Sequence, residues 1–357
     1  MPYPEFDNGG LRVLFFSRGR GRGHAIPDIE IIRHLRQLDS TAQVRLVSYA
    51  TGAETFQAHR IPYIDLGFPE RNTINETIIA AAKLTGWLNP DLVVAHEEFM
   101  ALPAAKIFDK ATIFITDWFS EKEKYAMASL RLADTIIFLD EPGIYPEPES
   151  ARAKTTYIGP VIREFDHSVA DRPRLRRELN IPPDAFTITV LPGSWTERAF
   201  PIADLILKAF DLLPKQPKHL IWAAGTDEDL LKDLTAARGN ITVTGYDPAI
   251  DRLMAAGDAA ITKGTRKTLF ELQSLGIPSV SLPNPSLQID RLRATHFPGN
   301  IALDAGMSPE LLVRCLLDSF VRPATPVTRR SGARDCANMI LNWKAGSHDD
   351  SPTPGNL

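Results

Sequence analysis

The chain has 357 residues, of which 44% are apolar and 24% are charged, and its net charge is −4. This composition is ordinary for a soluble globular protein of about two domains, since most domains run to ~100–200 residues. It shows no basic excess that would indicate nucleic-acid binding, and Cys315 and Cys336 form neither a disulfide framework nor a metal pattern.

Predicted strands and helices alternate through the first half of the chain, which is typical of an open parallel α/β sheet. The strands are predicted at residues 11–16, 43–49, 62–66, 91–95, 112–116, 135–139 and 157–161. The helices are predicted at residues 24–38, 52–59, 73–88, 100–108 and 121–132. Residues 142–148 are loop-like.

A second alternation follows, which predicts a second domain of the same class. Its strands are predicted at residues 186–191, 219–224, 241–244, 258–262, 280–282 and 301–303. Its helices are predicted at residues 200–213, 227–237, 248–256, 266–275, 288–295 and 309–321, and a final helix at 330–343. The predicted boundaries are 1–162 for an N-terminal domain, 163–173 for a linker, 174–328 for a C-terminal domain, 329–344 for a C-terminal helix and 345–357 for a disordered tail.

Two observations bear on the compartment. The N-terminus lacks the charged-then-apolar organisation of a secretion signal. No apolar run approaches the ~20 residues that a bilayer span needs. We therefore expect a cytoplasmic protein, and peripheral contact with the inner face of the membrane stays open.

In doubly wound sheets, ligands bind outside the carboxyl ends of the strands. Residues 261–283, ITKGTRKTLFELQSLGIPSVSLP, predict a strand, a short loop, a helix and a second strand. The loop places Lys263, Gly264, Thr265 and Thr268 at a helix N-terminus, where backbone N–H groups and the helix dipole can hold a phosphate. Glu271 is the only acid of that helix, and an ordinary βαβ unit with a solvated glutamate fits the spacing equally well.

The other strand ends of the second half are also small, polar or rich in glycine. They carry Gly193 and Ser194, then Gly225, then Tyr246. Such loops suit a diphosphate held by backbone N–H groups and hydroxyls without a metal. Together with a glutamate that accepts from both hydroxyls of a ribose, they predict a nucleotide-diphosphate site in the C-terminal domain.

In the first half, the loop at residues 19–23, GRGRG, invites a dinucleotide interpretation. Its spacing is G-x-G-x-G instead of G-x-G-x-x-G, and the acid expected at the end of the second strand is absent. The fingerprint is only partly met, so NAD binding is not favoured.

His24 opens a helix whose positive end is expected to keep its imidazole neutral near pH 7, as a general base requires. Asp117, at the tip of a strand in the same sheet, can orient that ring. The alternatives are a histidine that caps the helix and an aspartate that serves as an N-cap or loop acid. His96, Glu97 and Glu98 are too close together for an obvious metal site, and a polar rim is the favoured interpretation.

These motifs resemble a known family. The order GRGHAIP, then the Gly-Ser loop, then GTRKTLFELQSLGIP with Gln288 downstream, is similar to the GT-B glycosyltransferases and closest to their MurG-like group, glycosyltransferase family 28. The resemblance covers about residues 11–320. It implies two Rossmann-like doubly wound domains that face a central cleft, with the acceptor on the N-terminal domain and the nucleotide-sugar donor on the C-terminal one.

The resemblance also implies roles. Thr268 resembles the threonine that binds the donor diphosphate, Glu271 the glutamate that binds the ribose, and Gly193 with Ser194 the phosphate loop. Gln288 falls near the glutamine that reads sugar hydroxyls, and Tyr246 lies where the base is clamped. His24 matches the histidine of the family's glycine-rich loop.

The sequence departs from the family at two loops that face the acceptor. Arg18, Arg20 and Arg22 interrupt the glycines, and residues 96–98 replace a glycine-rich loop. Arg20 and Arg22, with His96 and Glu97, are therefore the acceptor-binding candidates. Arginines there suit an acceptor phosphate, or they are solvated surface charges.

The resemblance implies an inverting, metal-independent transfer from a UDP-linked sugar to an acceptor hydroxyl, with His24 as base and no cofactor. The sugar, the acceptor and the oligomeric state are not specified by the sequence. Two alternatives stay open, a sugar-nucleotide epimerase of the same fold and a non-catalytic subunit that binds a sugar nucleotide.

Overall fold

The structure is a computed structural model, and it describes residues 5–7, 9–69, 74–119, 128–193, 202–283, 297–303, 308–321, 326 and 331–343. The chain divides into two compact units. The first unit comprises Met1–Arg163 together with Ser331–Leu357, and the second comprises Glu164–Arg330. The roles predicted for the two domains stay predictions.

The first unit contains a sheet of seven parallel strands in the order β3-β2-β1-β4-β5-β6-β7. The strands are β1 Arg12–Ser17, β2 Gln43–Ser48, β3 Ile64–Asp65, β4 Leu92–His96, β5 Ala111–Thr116, β6 Thr135–Phe138 and β7 Thr155–Tyr157. The helices are α1 Ala25–Leu38, α2 Ala50–Ala58, α3 Ile74–Leu88, α4 Ala101–Ile107, α5 Glu149–Arg152 and, near the C-terminus, α12 Ala333–Asn342. Every residue of β4 is buried, as expected of a parallel strand covered on both faces.

Helix α12 completes the core of the first unit. Its buried residues Ala333, Cys336, Ala337 and Ile340 belong to the same apolar cluster as the isoleucines of α1. The small side chains let the two helices approach closely. The end of the chain therefore supports the helix that begins at His24.

The second unit contains six parallel strands in the order β10-β9-β8-β11-β12-β13. The strands are β8 Phe186–Leu191, β9 Lys218–Ala223, β10 Ile241–Thr244, β11 Ala259–Thr262, β12 Ser279–Ser281 and β13 Asn300–Ala302. The helices are α6 Arg172–Glu178, α7 Ala203–Leu212, α8 Glu228–Thr235, α9 Ile250–Ala256, α10 Arg266–Leu275 and α11 Pro309–Val321. Helix α10 ends at Gly276, whose φ of 70° is the left-handed conformation that glycine adopts most easily.

The strand order reverses once in each sheet, between β1 and β4 in the first unit and between β8 and β11 in the second. Loops leave the sheet on opposite faces at such a reversal, which opens a crevice at the carboxyl ends of the strands. The prediction of two Rossmann-like doubly wound domains is confirmed.

Some boundaries differ from the predictions. The strand predicted at 157–161 is β7, Thr155–Tyr157, and the short helix α5 was not predicted. Residues 164–173 of the predicted linker belong to the second unit, where Asp251 accepts hydrogen bonds from the backbone N–H groups of Asp166 and His167 at 3.0 and 2.9 Å. The predicted helix at 288–295 and most of the one at 121–132 lie outside the described residues.

None of the helices in the described part of the chain combines the length and the apolar character that a bilayer span requires.

Candidate active site

His24 and Glu97 meet where the strand order of the first unit reverses. His24 ends the loop after β1, and Glu97 follows β4. The Nε2 atom of His24 lies 2.9 Å from Oε2 of Glu97. Nδ1 is buried and has no hydrogen-bond partner within the described residues. His24 stands at the N-cap position of α1 but makes no side-chain cap, so capping does not account for it.

Glu97 is enclosed and held by several partners. Its side chain is buried, Thr116 donates a hydrogen bond to Oε1 at 2.9 Å, and Arg18 lies 3.3 Å from Oε2. Burial alone would raise the pKa of Glu97, but His24, Arg18 and His96 outweigh burial and hold that pKa well below its usual range. The carboxylate therefore stays charged and suits a hydrogen bond from Nε2–H of His24, and in the neutral ring that tautomer carries its lone pair on Nδ1.

Asp117 does not occupy the predicted position beside His24. In the sheet order, β4 lies between β1 and β5, so the loop after β4 is the neighbour of the His24 loop. Asp117 follows β5, one strand further away. The carboxylate on the imidazole is thus that of Glu97, and the predicted pairing of Asp117 with His24 is wrong.

The residues on either side of Glu97 are also buried and bound to protein groups. His96 is 1% exposed, and its Nδ1 lies 2.6 Å from Oδ1 of Asp28 on α1. Glu98 accepts a hydrogen bond from the hydroxyl of Tyr49 at 3.1 Å. The three side chains therefore form no solvated polar rim, because each turns to a different element of the fold.

This arrangement corrects two acceptor predictions. Neither His96 nor Glu97 presents its side chain to solvent, so neither is placed to contact an acceptor directly. Within the ranges that the structure describes, no group of three or more His, Cys, Asp or Glu side chains is placed to hold a metal ion. The loop after β4 supports the histidine instead of forming a separate binding surface.

The three arginines of the loop after β1 have different surroundings. Arg18 is paired with Glu97, and Arg22 contacts Glu54 at 3.1 Å and the hydroxyl of Thr55 at 3.1 Å. Arg20 is half-buried, and its charge acts on Glu98. Acceptor binding by Arg20 and Arg22 stays a prediction.

In the second unit, Gly193 and Lys263 meet at the corresponding reversal, between β8 and β11. Gly193 has a φ of 70°, and a Cβ added there would lie 3.2 Å from Cε of Lys263. The lysine side chain therefore lies against the glycine loop, and two of the predicted phosphate loops come together. Ser194 and Gln288 lie outside the described residues.

The start of α10 has the features of an anion site. Gly264 has a φ of 82°, and its N–H donates to Oγ1 of Thr262 at 3.3 Å. The hydroxyls of Thr265 and Thr268 lie 3.0 Å apart, and Thr265, the N-cap residue, makes no side-chain cap. The N-terminus of a helix favours a negatively charged ligand, because its backbone N–H groups and its dipole point toward that end.

Glu271 lies one turn further along α10, three residues after Thr268, and is only 3% exposed. The interpretation of Glu271 as a solvated surface acid is therefore wrong. Residues three apart share a helix face, so Glu271 and Thr268 lie on the same side of α10. Its role toward a ribose stays a prediction.

The two remaining donor candidates lie at neighbouring strand ends. Gly225, with a φ of 59°, opens a single 3-10 turn after β9, and Tyr246 is half-buried after β10. Glu228 of α8 lies near both loops. A Cβ added at Gly245 would collide with Oε2 of Glu228. Glu228 thus packs against the residue before Tyr246, a contact that sequence patterns did not indicate.

Sequence reasoning also missed Asp28, Tyr49 and Thr116. For Asp28 a signal existed, because it is an acid four residues after His24 on a helix whose other buried residues are mostly apolar. The hydroxyls of Tyr49 and Thr116 left no such signal.

Comparisons with known proteins agree with this architecture. Residues 187–320 match the glycosyltransferase family 28 C-terminal domain. A UDP-N-acetylglucosamine–N-acetylmuramyl-(pentapeptide) pyrophosphoryl-undecaprenol N-acetylglucosamine transferase from Desulforudis audaxviator is 27% identical over 305 residues, which is 77% of this chain and 79% of that protein.

Two solved structures are similar in fold. MurG of Acinetobacter baumannii aligns with a TM-score of 0.62 at 16% identity, over 93% of this chain and 99% of that one. A UDP-GlcNAc 2-epimerase from Neisseria meningitidis, solved with UDP-GlcNAc, aligns with a TM-score of 0.70 at 14% identity, over 94% of this chain and 100% of that one. At these identities the likeness supports the GT-B fold and not an activity.

Proposed function

Because the chain is a MurG-like glycosyltransferase of the GT-B fold with a family 28 C-terminal domain, we propose that it transfers a sugar from a UDP-sugar to an acceptor hydroxyl with inversion. The contact between His24 and Glu97, 2.9 Å long and located at a strand-order reversal, is the observation that carries the proposal. The relatives' activity supports N-acetylglucosamine as the sugar and a lipid-linked muramyl peptide as the acceptor.

In this mechanism, His24 is the general base. The acceptor oxygen attacks the anomeric carbon, and its proton passes to Nδ1 of His24. The bond between that carbon and the β-phosphate oxygen breaks, UDP leaves with the electron pair, and the configuration inverts. Glu97 acts as a positioning residue that fixes the ring and stabilises the imidazolium. Nδ1 is covered in the structure, so the proposal includes a movement that exposes it when the acceptor binds.

The second unit is proposed to hold the donor. Lys263, the N-terminus of α10 and the loop at Gly193 face the departing diphosphate, whose charge they neutralise in place of a metal ion. Thr268 and Glu271 lie on one side of α10, where Thr268 binds the diphosphate and Glu271 binds the ribose. Tyr246 clamps the nucleotide base. Transfer should therefore continue at its full rate in the presence of EDTA, and a requirement for added Mg²⁺ or Mn²⁺ would contradict this part.

The proposal is tested by His24→Ala and Glu97→Gln, with UDP-GlcNAc and a muramyl-peptide pyrophosphoryl polyprenol as substrates. Each change should lower kcat by about 100-fold or more, since general base catalysis supplies that much. The dissociation constant of UDP, measured by calorimetry, should stay within about twofold, because the nucleotide is assigned to the other unit. NMR of the product should show an inverted anomeric centre.

Two matched controls come from the same region. His34→Ala changes another histidine of α1, and Glu54→Gln removes the exposed partner of Arg22. Both should transfer sugar at the wild-type rate. Full activity of His24→Ala would exclude it as the base.

The epimerase alternative rests on a likeness in fold. An epimerase acts on the donor alone, so incubation of the protein with UDP-GlcNAc and no acceptor separates the two functions. A second UDP-sugar in the product mixture would favour the epimerase. Binding of UDP without any turnover would instead indicate a non-catalytic subunit.

We also propose that the first unit contacts the inner face of the membrane. Four large apolar side chains are exposed on α3 and at the end of α4, namely Ile79, Trp87, Ile107 and Phe108. The ring of Phe108 lies against Gly86, next to Trp87, so Trp87, Ile107 and Phe108 lie close together, and Ile79 is exposed on the same helix as Trp87. Lys83, on the same helix, adds positive charge.

Such a patch would bring the site to a lipid-linked acceptor. The double change Trp87→Ser and Ile107→Ser should reduce co-sedimentation with vesicles of anionic phospholipid. Leu230→Ser with Leu234→Ser, which alters exposed leucines of the second unit, should leave it unchanged.

A further inference from the structure

A second contact joins the same two segments as the contact between His24 and Glu97. Asp28 lies one helical turn after His24, and its N–H donates to the carbonyl of His24 at 3.3 Å. His96 directly precedes Glu97. Its Nδ1 lies 2.6 Å from Oδ1 of Asp28, so the start of α1 and the end of β4 are connected twice, once at the site and once beneath it.

The lower contact is sealed from solvent. His96 is 1% exposed and Asp28 is fully buried. Oδ2 of Asp28 is buried without a hydrogen-bond partner in the described part of the chain, and the charge of Asp28 acts on the thiol of Cys336 in α12. A buried carboxylate with one unbonded oxygen needs a positive partner, and the imidazolium of His96 is the group in contact with it.

The two histidines touch. Their ring centroids lie 5.0 Å apart with the planes at 87°, an edge-on contact that limits rotation of the His24 imidazole. Glu97 has a φ of 52°, a conformation that costs free energy for a non-glycine residue and persists only where the surroundings impose it. His96 and its bond to α1 are part of those surroundings.

We propose that Asp28 and His96 form a buried positioning pair, which holds the His24 ring and the Glu97 backbone in the geometry for proton transfer. The inference rests on the proposed function, because the pair acts through the base and touches neither substrate. Burial disfavours the charged form of His96, yet Asp28 and Glu97 raise the pKa of His96 overall, in agreement with an ion pair.

The first test is spectroscopic and independent of activity. In ¹⁵N-histidine-labelled protein, the Nδ1–H proton of His96 should resonate far downfield, because its hydrogen bond to a carboxylate is short and sheltered. Asp28→Asn should remove this resonance. A spectrum without it in the wild type, or with it in the variant, would exclude the charged pair.

The second test separates positioning from folding. Asp28→Asn should lower kcat by about 100-fold, as a small misplacement of a catalytic group does, while KM for UDP-GlcNAc and the dissociation constant of UDP stay within about twofold. His96→Asn keeps a donor near the Nδ1 position but loses the ring beside His24, and it should lower kcat similarly. The double variant should lose no more than the worse single variant.

The second unit provides a matched control. Asp251 is also buried and lies 3.0 Å from Nδ1 of His167, so Asp251→Asn breaks a comparable Asp–His pair far from His24 in sequence. This variant should lose stability but keep kcat within about twofold below its melting temperature. An equal loss of kcat in Asp251→Asn and Asp28→Asn would show a merely structural role.

The outcome also distinguishes the two proposals. If His24→Ala and Glu97→Gln lose activity while Asp28→Asn keeps full kcat, the positioning pair is wrong and the proposed function stands. If His24→Ala keeps full activity, the proposed function itself fails.

Discussion

Glu97 and Glu98 are adjacent, buried and of the same residue type, yet their pKa values shift in opposite directions. Around Glu97, the positive partners outweigh the cost of burial. Around Glu98, burial outweighs Arg18, the Tyr49 hydroxyl and Arg20, and it raises the pKa to about 7. One carboxyl is thus a charge beside His24, the proposed base, and the other is largely neutral below pH 7.

Glu98 therefore makes stability depend on pH. Its pKa is raised from 4.5 to about 7 in the folded protein, so the folded state binds the additional proton between these values. The contribution of Glu98 is most favourable at low pH and is lost as pH rises toward 7. The free energy of unfolding that is lost amounts to about 3 kcal/mol, because each pKa unit corresponds to about 1.4 kcal/mol.

Glu98→Gln should abolish this dependence. Relative to the wild type, the free energy of unfolding of the variant should rise by about 3 kcal/mol between about pH 4 and about pH 8. Urea unfolding at the two pH values measures the difference. The exposed change Glu54→Gln should show no such trend, and a parallel pH profile for Glu98→Gln and the wild type would contradict a neutral Glu98.

At the scale of elements, the loop after β8 contacts the segment that leads into α10. The left-handed backbone at Gly193 brings the loop against the Lys263 side chain, and Gly264 gives the second loop its own left-handed turn. The left-handed conformation favours glycine at both positions, and a side chain at Gly193 would also press on Lys263. The proposed anion site depends on two loops that are about 70 residues apart in the sequence but flank one strand-order reversal.

Gly193→Ala should therefore weaken nucleotide binding. The new methyl group presses on the side chain of Lys263, which we propose to bind the diphosphate, and weakening of that charge-assisted contact should raise the dissociation constant of UDP by about tenfold. Calorimetry with UDP measures the change.

Gly143→Ala is the matched control, because Gly143 has a φ of 82° and no atom within 4 Å of a new Cβ. Both variants should lose about 1 kcal/mol of stability from the left-handed backbone. Only Gly193→Ala should lose affinity for UDP. If the two variants bound UDP with equal affinity, Gly193 and Lys263 would not belong to the donor site.

At the scale of the whole molecule, nucleotide binding should appear as stabilisation of the folded chain. UDP at 100 times its dissociation constant should add about 2.7 kcal/mol to the free energy of unfolding. A thermal-shift screen of UDP, GDP and TDP with their sugars measures this, and UDP should give the largest shift at equal concentration. A larger shift with GDP or TDP would show that the preferred nucleotide base is not uracil.

Most of the fold was predictable because it is encoded locally. Alternating apolar strands and amphipathic helices mark the β1–α1 and β11–α10 units within a few residues, and Gly276 marks the end of α10. The short β7 and the helices α5 and α6 were misjudged, since their patterns are brief and their positions depend on packing. The return of α12 to the first unit also depends on packing with α1.

By itself, the sequence determined two doubly wound domains, the loops that carry the candidate sites, and a family resemblance strong enough to predict a sugar-nucleotide transferase. Only the tertiary structure decided which side chains meet. It placed β4 between β1 and β5, so Glu97 and not Asp117 contacts His24, and it buried Glu271 and the Asp28–His96 pair. The physical reason is that strand order and burial arise from long-range packing, which the local pattern around each residue does not encode.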